Sequence, residues 1–150
     1  MRISNAFAAL VAFLATAAIA LPAADASDKA CTTGTAVVTA GYTINYAPAT
    51  PTATIAGAGY HPEPAWESGR VVATYTYGVP TPIETGFAYA QFKCQYTCNG
   101  ASPPGSSFFV KYVGGQVGSQ CTCYSDLLKP EALVPYNQTV VGAWNAICKD

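Results

Sequence analysis

The sequence is poor in charged residues and in histidine, and both shortages narrow the functions open to it. Lysine and arginine number 7 and aspartate and glutamate 8, so charged residues make up 10% of the 150-residue chain. These charges are scattered and nearly balanced, so we predict no nucleic-acid partner and no anionic membrane surface as a partner. The single histidine, His61, lies in the proline-rich stretch GYHPEPAWE, where we expect a solvent-exposed loop.

Recognisable catalytic and metal-binding patterns are also missing. One histidine and no G-x-S-x-G motif argue against a serine hydrolase, and no second histidine exists to complete a metal site. Carboxylates for glycoside hydrolysis would have to come from Glu63, Glu67, Glu84, Asp126 and Glu131. Glu84 is better explained as a helix cap and Asp126 lies in a turn-like segment, so no convincing pair remains. We therefore predict no catalytic residue, metal or cofactor.

Long apolar runs are absent except at the N-terminus. Residues 1–26 have the layout of a secretory signal peptide, with Arg2 before an apolar run and small residues that allow cleavage after Ala20 or, preferably, Ala26. A membrane anchor is disfavoured because the run is alanine-rich and N-terminal, and no later stretch reaches the roughly twenty apolar residues of a spanning helix. We predict one secreted, extracellular domain at 27–150, with no membrane association after cleavage.

With so few charges, solubility has to come from uncharged polar side chains and attached glycan. Asn137-Gln138-Thr139 is the one N-x-S/T sequon in the chain. Because a secreted protein meets the glycosylation machinery, we predict that Asn137 is glycosylated.

Alternating apolar and polar residues predict strands at 42–46 and 71–77, and we interpret the proline-rich segment between them as a long surface excursion. In the second strand, alternation places four side chains on one face: Val71, Ala73, Tyr75 and Tyr77. The segments SFFVKYV and QCTCYSDLL, joined by GGQVGS, predict a hairpin. Within the first of them, Phe108 and Val110 face away from Phe109. A further short strand is expected around 139–141.

One helix is predicted between the two strand regions. Thr81 can act as its N-cap, with Pro82 at the first helical position and Glu84 completing a capping box. The helix should continue to Cys98 and end in a left-handed turn at Asn99-Gly100.

Four of the six cysteines form two close pairs in the sequence. Cys94 and Cys98 are separated by about 6 Å along a helix, and Cys121 and Cys123 by about 6.6 Å on one face of a strand. Because these separations match, the helix can pack on the hairpin through two adjacent disulfides. Zinc is disfavoured by the single residue between Cys121 and Cys123, and a thioredoxin-like site by the lack of Cys-x-x-Cys.

An even number of cysteines in an exported chain indicates disulfides throughout. Cys31 and Cys148 remain as a pair near the two chain ends. Their bond would close a loop of about 117 residues and contribute about 4 to 5 kcal/mol in the chain-entropy model.

Aromatic side chains are the main resource for binding. Exposed tyrosine and tryptophan stack on sugars and anchor protein partners. We expect Phe87, Phe92, Phe108 and Trp144 to pack in the core. The candidate ligand contacts are Trp66, Tyr75 and Tyr77.

Four segments, CQYTC, SFFVKY, CTCY and VVGAWNAIC, together resemble the PAN/apple domain of small secreted fungal proteins. The resemblance covers about residues 70–148 and Cys31. It implies an α+β fold in which one disulfide-anchored helix packs on a curved antiparallel sheet and a disulfide joins the chain ends. It also implies non-catalytic binding of proteins or carbohydrates.

The sequence departs from the family pattern after the helix. The family usually places a cysteine just before the aromatic strand, and NGASPPGSSFF has none. Its partner role has moved to the second cysteine of CTC, so the resemblance implies the nested pairs Cys94–Cys123 and Cys98–Cys121, with the parallel arrangement as the alternative.

We therefore predict a secreted, non-catalytic binding module or effector-like protein that contacts an extracellular protein or a glycan. The alternatives are a secreted enzyme of unrecognised type acting on extracellular polysaccharide and a structural cell-surface protein.

Overall fold

The computed structural model describes residues 29–52, 59–137 and 140–149, and the predicted signal peptide lies outside them. In chain order the strands are β1 (Val37–Thr39), β2 (Tyr42–Ile44), β3 (Tyr46–Pro48), β4 (Gly59–Pro62), β5 (Val71–Tyr77), β6 (Ser107–Gly114), β7 (Gly118–Tyr124), β8 (Leu133–Tyr136) and β9 (Val141–Ala146). The helices are α1 (Pro64–Glu67) and α2 (Ile83–Asn99), with a 3-10 turn at Pro130–Ala132. Neither helix of the described ranges is long and apolar enough to span a membrane.

Five strands form a central antiparallel sheet in the order β3-β9-β6-β7-β5. The β6–β7 hairpin at its centre confirms the predicted hairpin, and β5 coincides with the predicted strand at 71–77. The predicted strand at 42–46 is divided at Asn45. Its first part, β2, pairs with β1, whereas its second part, β3, joins the edge of the central sheet beside β9.

One face of the sheet packs against α2. The core on this side contains alternate residues of β6, β7 and β9, namely Phe108, Val110, Cys121, Cys123, Trp144 and Ala146. The aromatic residues expected in the core lie here, with Phe108 and Trp144 buried and Phe87 and Phe92 partly buried. A bulge in β5 between Val71 and Ala73 brings Val72 and Ala73 to the same core, although strict alternation put them on opposite faces.

The opposite face has its own core, which includes Phe109, Tyr124, Leu128 and Leu133. The pair β4–β8, together with α1, lies on this side. β4 and α1 belong to the segment interpreted as a surface excursion, and because they pack on the sheet that interpretation is wrong for residues 59–67. Alternation sends Phe109 here and Phe108 toward the helix, as predicted.

Two disulfides join α2 to β7, and they are parallel rather than nested. Cys94 bonds Cys121 with Cα atoms 5.7 Å apart, and Cys98 bonds Cys123 with Cα atoms 5.4 Å apart. The nested pairing Cys94–Cys123 and Cys98–Cys121 is wrong because the first helical cysteine lies level with the first strand cysteine. The two bonds touch, with Cys98 Sγ 3.6 Å from Cys121 Sγ. The match between helical and strand spacing is confirmed.

The ends of α2 differ from the prediction. Pro82, not Thr81, is the N-cap, and it makes no side-chain capping bond with any described residue, so the Glu84 capping box is wrong. Its carbonyl instead accepts from the Gly86 amide at 3.0 Å. At the other end Gly100 has φ −85°, which is right-handed, so the predicted left-handed stop is also wrong.

Gly86 has a packing role within the first turn of α2. A Cβ at this position would lie 2.0 Å from the carbonyl oxygen of Pro80 and 3.3 Å from the Val79 side chain. The residues leading into the helix therefore pass against its own first turn, and a residue without a side chain is needed there.

The C-terminal part contains one strand more than expected. β8 was not predicted, and it pairs with β4. The strand expected around 139–141 is β9, which begins at Val141 and extends to Ala146. Thr139 lies outside the described residues.

Candidate ligand-binding site

The three aromatic residues predicted as ligand contacts do not form one surface. Trp66 packs on the β4–β8 side, with its ring 5.1 Å from that of Tyr124 and the Arg70 guanidinium 5.4 Å from its centroid. Tyr75 and Tyr77 pack instead against the helix-side core, on the other face of the sheet. All three side chains are half-buried.

His61 and Asn137, the predicted loop histidine and the predicted glycosylation site, lie in or beside the β4–β8 pair. His61 lies in β4, half-buried, with its ring centroid 5.3 Å from Phe109 and 5.4 Å from Tyr136, so the predicted exposed loop position is wrong. Asn137 is exposed beyond β8, and the rest of its sequon lies outside the described residues.

Two of the five acids are engaged near α1. Tyr124 donates its hydroxyl proton to Glu67, and burial, followed by the contact with Glu67, raises the pKa of this phenol. Arg70 Nε lies 3.5 Å from Asp126 Oδ2 and its Nη1 donates to the Trp66 carbonyl at 2.7 Å. These contacts connect α1 and β5 to the end of β7.

The cysteine sulfurs lie close enough together for a metal site, because those of Cys94, Cys98 and Cys121 are all within 4.8 Å of one another. Each is bonded in a disulfide, however, and the thiolate is the form that binds metal. This group is therefore a covalent cross-link between helix and sheet.

A pocket of about 700 Å³ lies where the segments around Cys31 and Cys148, at the two ends of the described residues, meet the C-terminal end of α2, and we call it the terminal pocket. Its volume falls within the range of small-molecule sites in proteins. It is lined by Lys29, Cys31, Asn45, Tyr46, Tyr96, Asn99, Pro104, Ala146, Ile147, Cys148 and Lys149.

The two chain ends are held at this pocket by one disulfide and by backbone hydrogen bonds. Cys31 and Cys148 are bonded with Cα atoms 5.0 Å apart, as predicted. The Thr32 amide donates to the Ala146 carbonyl at 2.8 Å, and the Cys148 amide donates to the Thr32 carbonyl at 3.0 Å. Lys29 and Lys149 flank these cysteines in the sequence and so reach the same pocket.

Gln95 of α2 holds the backbone at one wall of the pocket. Its Oε1 accepts from the Asn45 amide at 2.8 Å, and its Nε2 donates to the Thr43 carbonyl at 2.8 Å. These are the backbone groups beside the break between β2 and β3. The side chain thus takes the place of a neighbouring strand and holds Asn45 at the pocket wall.

A polar triangle forms one side of the terminal pocket. Lys29 Nζ donates to Asn99 Oδ1 at 2.6 Å and to the Tyr46 hydroxyl at 2.9 Å, and that hydroxyl donates to Asn99 Oδ1 at 2.9 Å. Burial raises the pKa of Tyr46 to about 12. Burial and then the charge of Lys149 lower the pKa of Lys29. The triangle fixes the ammonium group in place.

Tyr96 provides an aromatic surface at the pocket. It is 59% exposed, and its ring centroid lies 5.0 Å from that of Phe92, which supports it from the helix. A second concavity of about 300 Å³ shares Asn45, Ile147, Cys148 and Lys149 with the terminal pocket, so the two adjoin and extend the site.

The terminal pocket was not predicted from the sequence, although the sequence contains one signal for it. Each cysteine of the terminal pair has a lysine close by, in Lys29-Ala30-Cys31 and in Cys148-Lys149. A disulfide between the ends therefore brings two cations together. Tyr96 gave no comparable signal, because it occupies the flank of a helix whose register alone does not show what lies opposite.

No family model matches this sequence, and neither the curated proteins nor the solved structures give a match. The resemblance to the PAN/apple domain stays a prediction.

Proposed function

We propose that this protein is an extracellular, non-catalytic binding module that holds a carbohydrate in the terminal pocket. The observation that carries the proposal is the exposed ring of Tyr96 at the edge of a pocket lined by amide and ammonium groups. Aromatic faces stack on the C–H faces of sugars, while amides and ammonium groups bond sugar oxygens.

The rigidity of the scaffold supports a binding role. Two disulfides join the helix to the sheet, and a third joins Cys31 to Cys148. Cross-links of this kind hold the pocket walls in place before the ligand arrives, which lowers the entropy cost of binding. They also favour an oxidising compartment, in agreement with the predicted signal peptide at 1–26 and secretion.

The proposed PAN/apple relationship is supported by the helix that is cross-linked to an antiparallel sheet and by the disulfide between the chain ends. A curved sheet and a binding role belong to the same proposal. Asn137, the predicted glycosylation site, is not among the lining residues of the pocket.

The experiment is a glycan array with the mature protein. The glycan that binds best is then titrated into the unchanged protein, Tyr96→Ala and Tyr136→Ala. Tyr96→Ala should lose most of the affinity, because it removes the stacking surface, and truncation of an aromatic anchor typically costs about 2 kcal/mol or more. Tyr136→Ala is the matched control, since Tyr136 is 48% exposed and lies outside the pocket. Equal loss in both variants, or full binding by Tyr96→Ala, would contradict the proposal.

The non-catalytic part has its own measurement. Polysaccharide that the protein binds is incubated with it, and new reducing ends are counted. The expected result is no release above a blank, and release that grows with protein concentration would indicate the enzyme alternative.

A further inference from the structure

Several hydrogen-bond donors of the terminal pocket have no partner among the described residues. Lys29 uses two of its three N–H groups within the polar triangle and has one left. The side-chain nitrogen of Asn99 has no partner among the described residues, and neither has the Lys149 ammonium. The pocket therefore offers several N–H donors to a ligand.

Anionic acceptors are absent from the described lining of the same pocket. The described lining residues include no aspartate and no glutamate, and Asn99 Oδ1 already accepts two hydrogen bonds, so the side-chain acceptors left are neutral ones on Asn45 and Tyr96. A neutral sugar presents hydroxyl groups that need acceptors as well as donors. A ligand with a surplus of acceptor oxygens fits this lining better.

The charge of the pocket points the same way. Lys29 and Lys149 both line it, and the pKa of Lys29 is lowered partly by the charge of Lys149, which reflects repulsion between neighbouring cations. Within the described part of the chain, the one ion pair is between Arg70 and Asp126, away from the pocket. An anionic ligand would relieve this repulsion.

We propose that the ligand of the terminal pocket is an acidic saccharide whose ring carboxylate binds between Lys29 and Lys149 while the sugar face stacks on Tyr96. This inference rests on the proposed function and adds the chemical class of the ligand. The adjoining concavity, which shares Lys149, gives room for a neighbouring sugar unit of the same chain.

The test compares oligomers of galacturonic acid with the same oligomers after methyl esterification, which removes the charge and keeps the ring. By calorimetry the acid form should bind about tenfold or more tightly than the ester, because charge-assisted hydrogen bonds exceed neutral ones. The preference should fall as salt is added. Equal affinity of the acid and ester forms would overturn the inference.

Lys149→Gln tests the residues directly. Lys149 is exposed and has no described bonding partner, so the variant should fold normally while its affinity for the acid falls toward that for the ester, because one of the two cations is gone. Lys129→Gln is the matched control, because Lys129 is exposed and outside the pocket, and it should keep the preference. Loss of preference in both variants would indicate net charge alone and overturn the inference.

Asp28 and Asp150 need a separate variant, because each is adjacent in sequence to one of the two lysines and lies outside the described residues. In the D28N/D150N protein, affinity for the acid should change less than threefold. A gain of about tenfold or more would show that these carboxylates hold the lysines, which would overturn the inference.

The outcomes separate the two proposals. Binding of acid and ester alike, lost in both cases in Tyr96→Ala, would overturn the acidic ligand and leave the carbohydrate-binding function standing. If neither the acid nor the ester binds, and no glycan on the array binds, the proposed function is overturned as well.

Discussion

Gln95 offers the sharpest test of how the fold supports the terminal pocket. Its side chain is 2% exposed and bonds the Asn45 amide and the Thr43 carbonyl, which have no strand neighbour at the break between β2 and β3. Gln95→Leu keeps the volume of the side chain and removes both bonds. The change therefore isolates hydrogen bonding from packing.

The expected cost follows from the two backbone groups that the variant leaves without a partner. Thr43 and Asn45 are exposed residues and both bonds are part-buried, so each bond is assigned the ordinary net contribution of about 0.5–1.5 kcal/mol. The two bonds together predict a fall of about 1–3 kcal/mol in the free energy of unfolding. A fall of this size is measurable against the about 5–15 kcal/mol that stabilises a typical domain.

The assay is urea denaturation with the disulfides intact, followed by fluorescence. Gln120→Leu is the matched control, because Gln120 is half-exposed on β7 and bonds no described side chain, and its effect should stay within about 0.5 kcal/mol. A fall below about 1 kcal/mol for Gln95→Leu would refute the reasoning, since it would mean that water reaches both groups. Affinity for the saccharide should fall with stability, because Asn45 lines the pocket.

Three further predictions concern other parts of the fold. Gly86→Ala should lower the melting temperature, because the new Cβ would lie 2.0 Å from a carbonyl oxygen, although alanine is about 1 kcal/mol more favourable than glycine in an ordinary helix. Gly100→Ala is the control, since the nearest atom there is 3.4 Å away, and stabilisation by Gly86→Ala would contradict the packing role. The pKa of Tyr46 is raised to about 12, so the stability due to its neutral phenol is present below about pH 10 and lost as pH rises toward 12. Tyr46→Phe should reduce this alkaline loss of unfolding free energy, and a pH profile of stability that is the same in both proteins would argue against it. Replacing Cys31 and Cys148 together by serine should lower the free energy of unfolding by up to about 4–5 kcal/mol. It should also weaken saccharide binding, because Lys29 and Lys149 lose the cross-link that holds them together. An unchanged urea midpoint of unfolding would contradict this.

Local patterns in the sequence predicted much of the sheet. The alternation of 71–77 coincides with β5, and the glycine-containing connection correctly predicted the β6–β7 hairpin with Phe108 and Phe109 on opposite faces. The capping pattern at Thr81 and Glu84 failed, although the helix itself exists. A cap depends on the path by which the chain enters the helix, and that path is set here by contacts of residues 79–80 with Gly86.

By itself, the sequence determined that four cysteines would join a helix to a strand, because equal axial separations follow from the rise per residue of each element. Only the tertiary structure decided that Cys94 meets Cys121, since pairing depends on the relative direction of helix and strand, which no local pattern contains. The terminal pocket was decided at the same level. Lys29, Tyr96 and Lys149 are far apart in the chain, and they meet because the end-to-end disulfide and the last turn of α2 occupy the same edge of the fold.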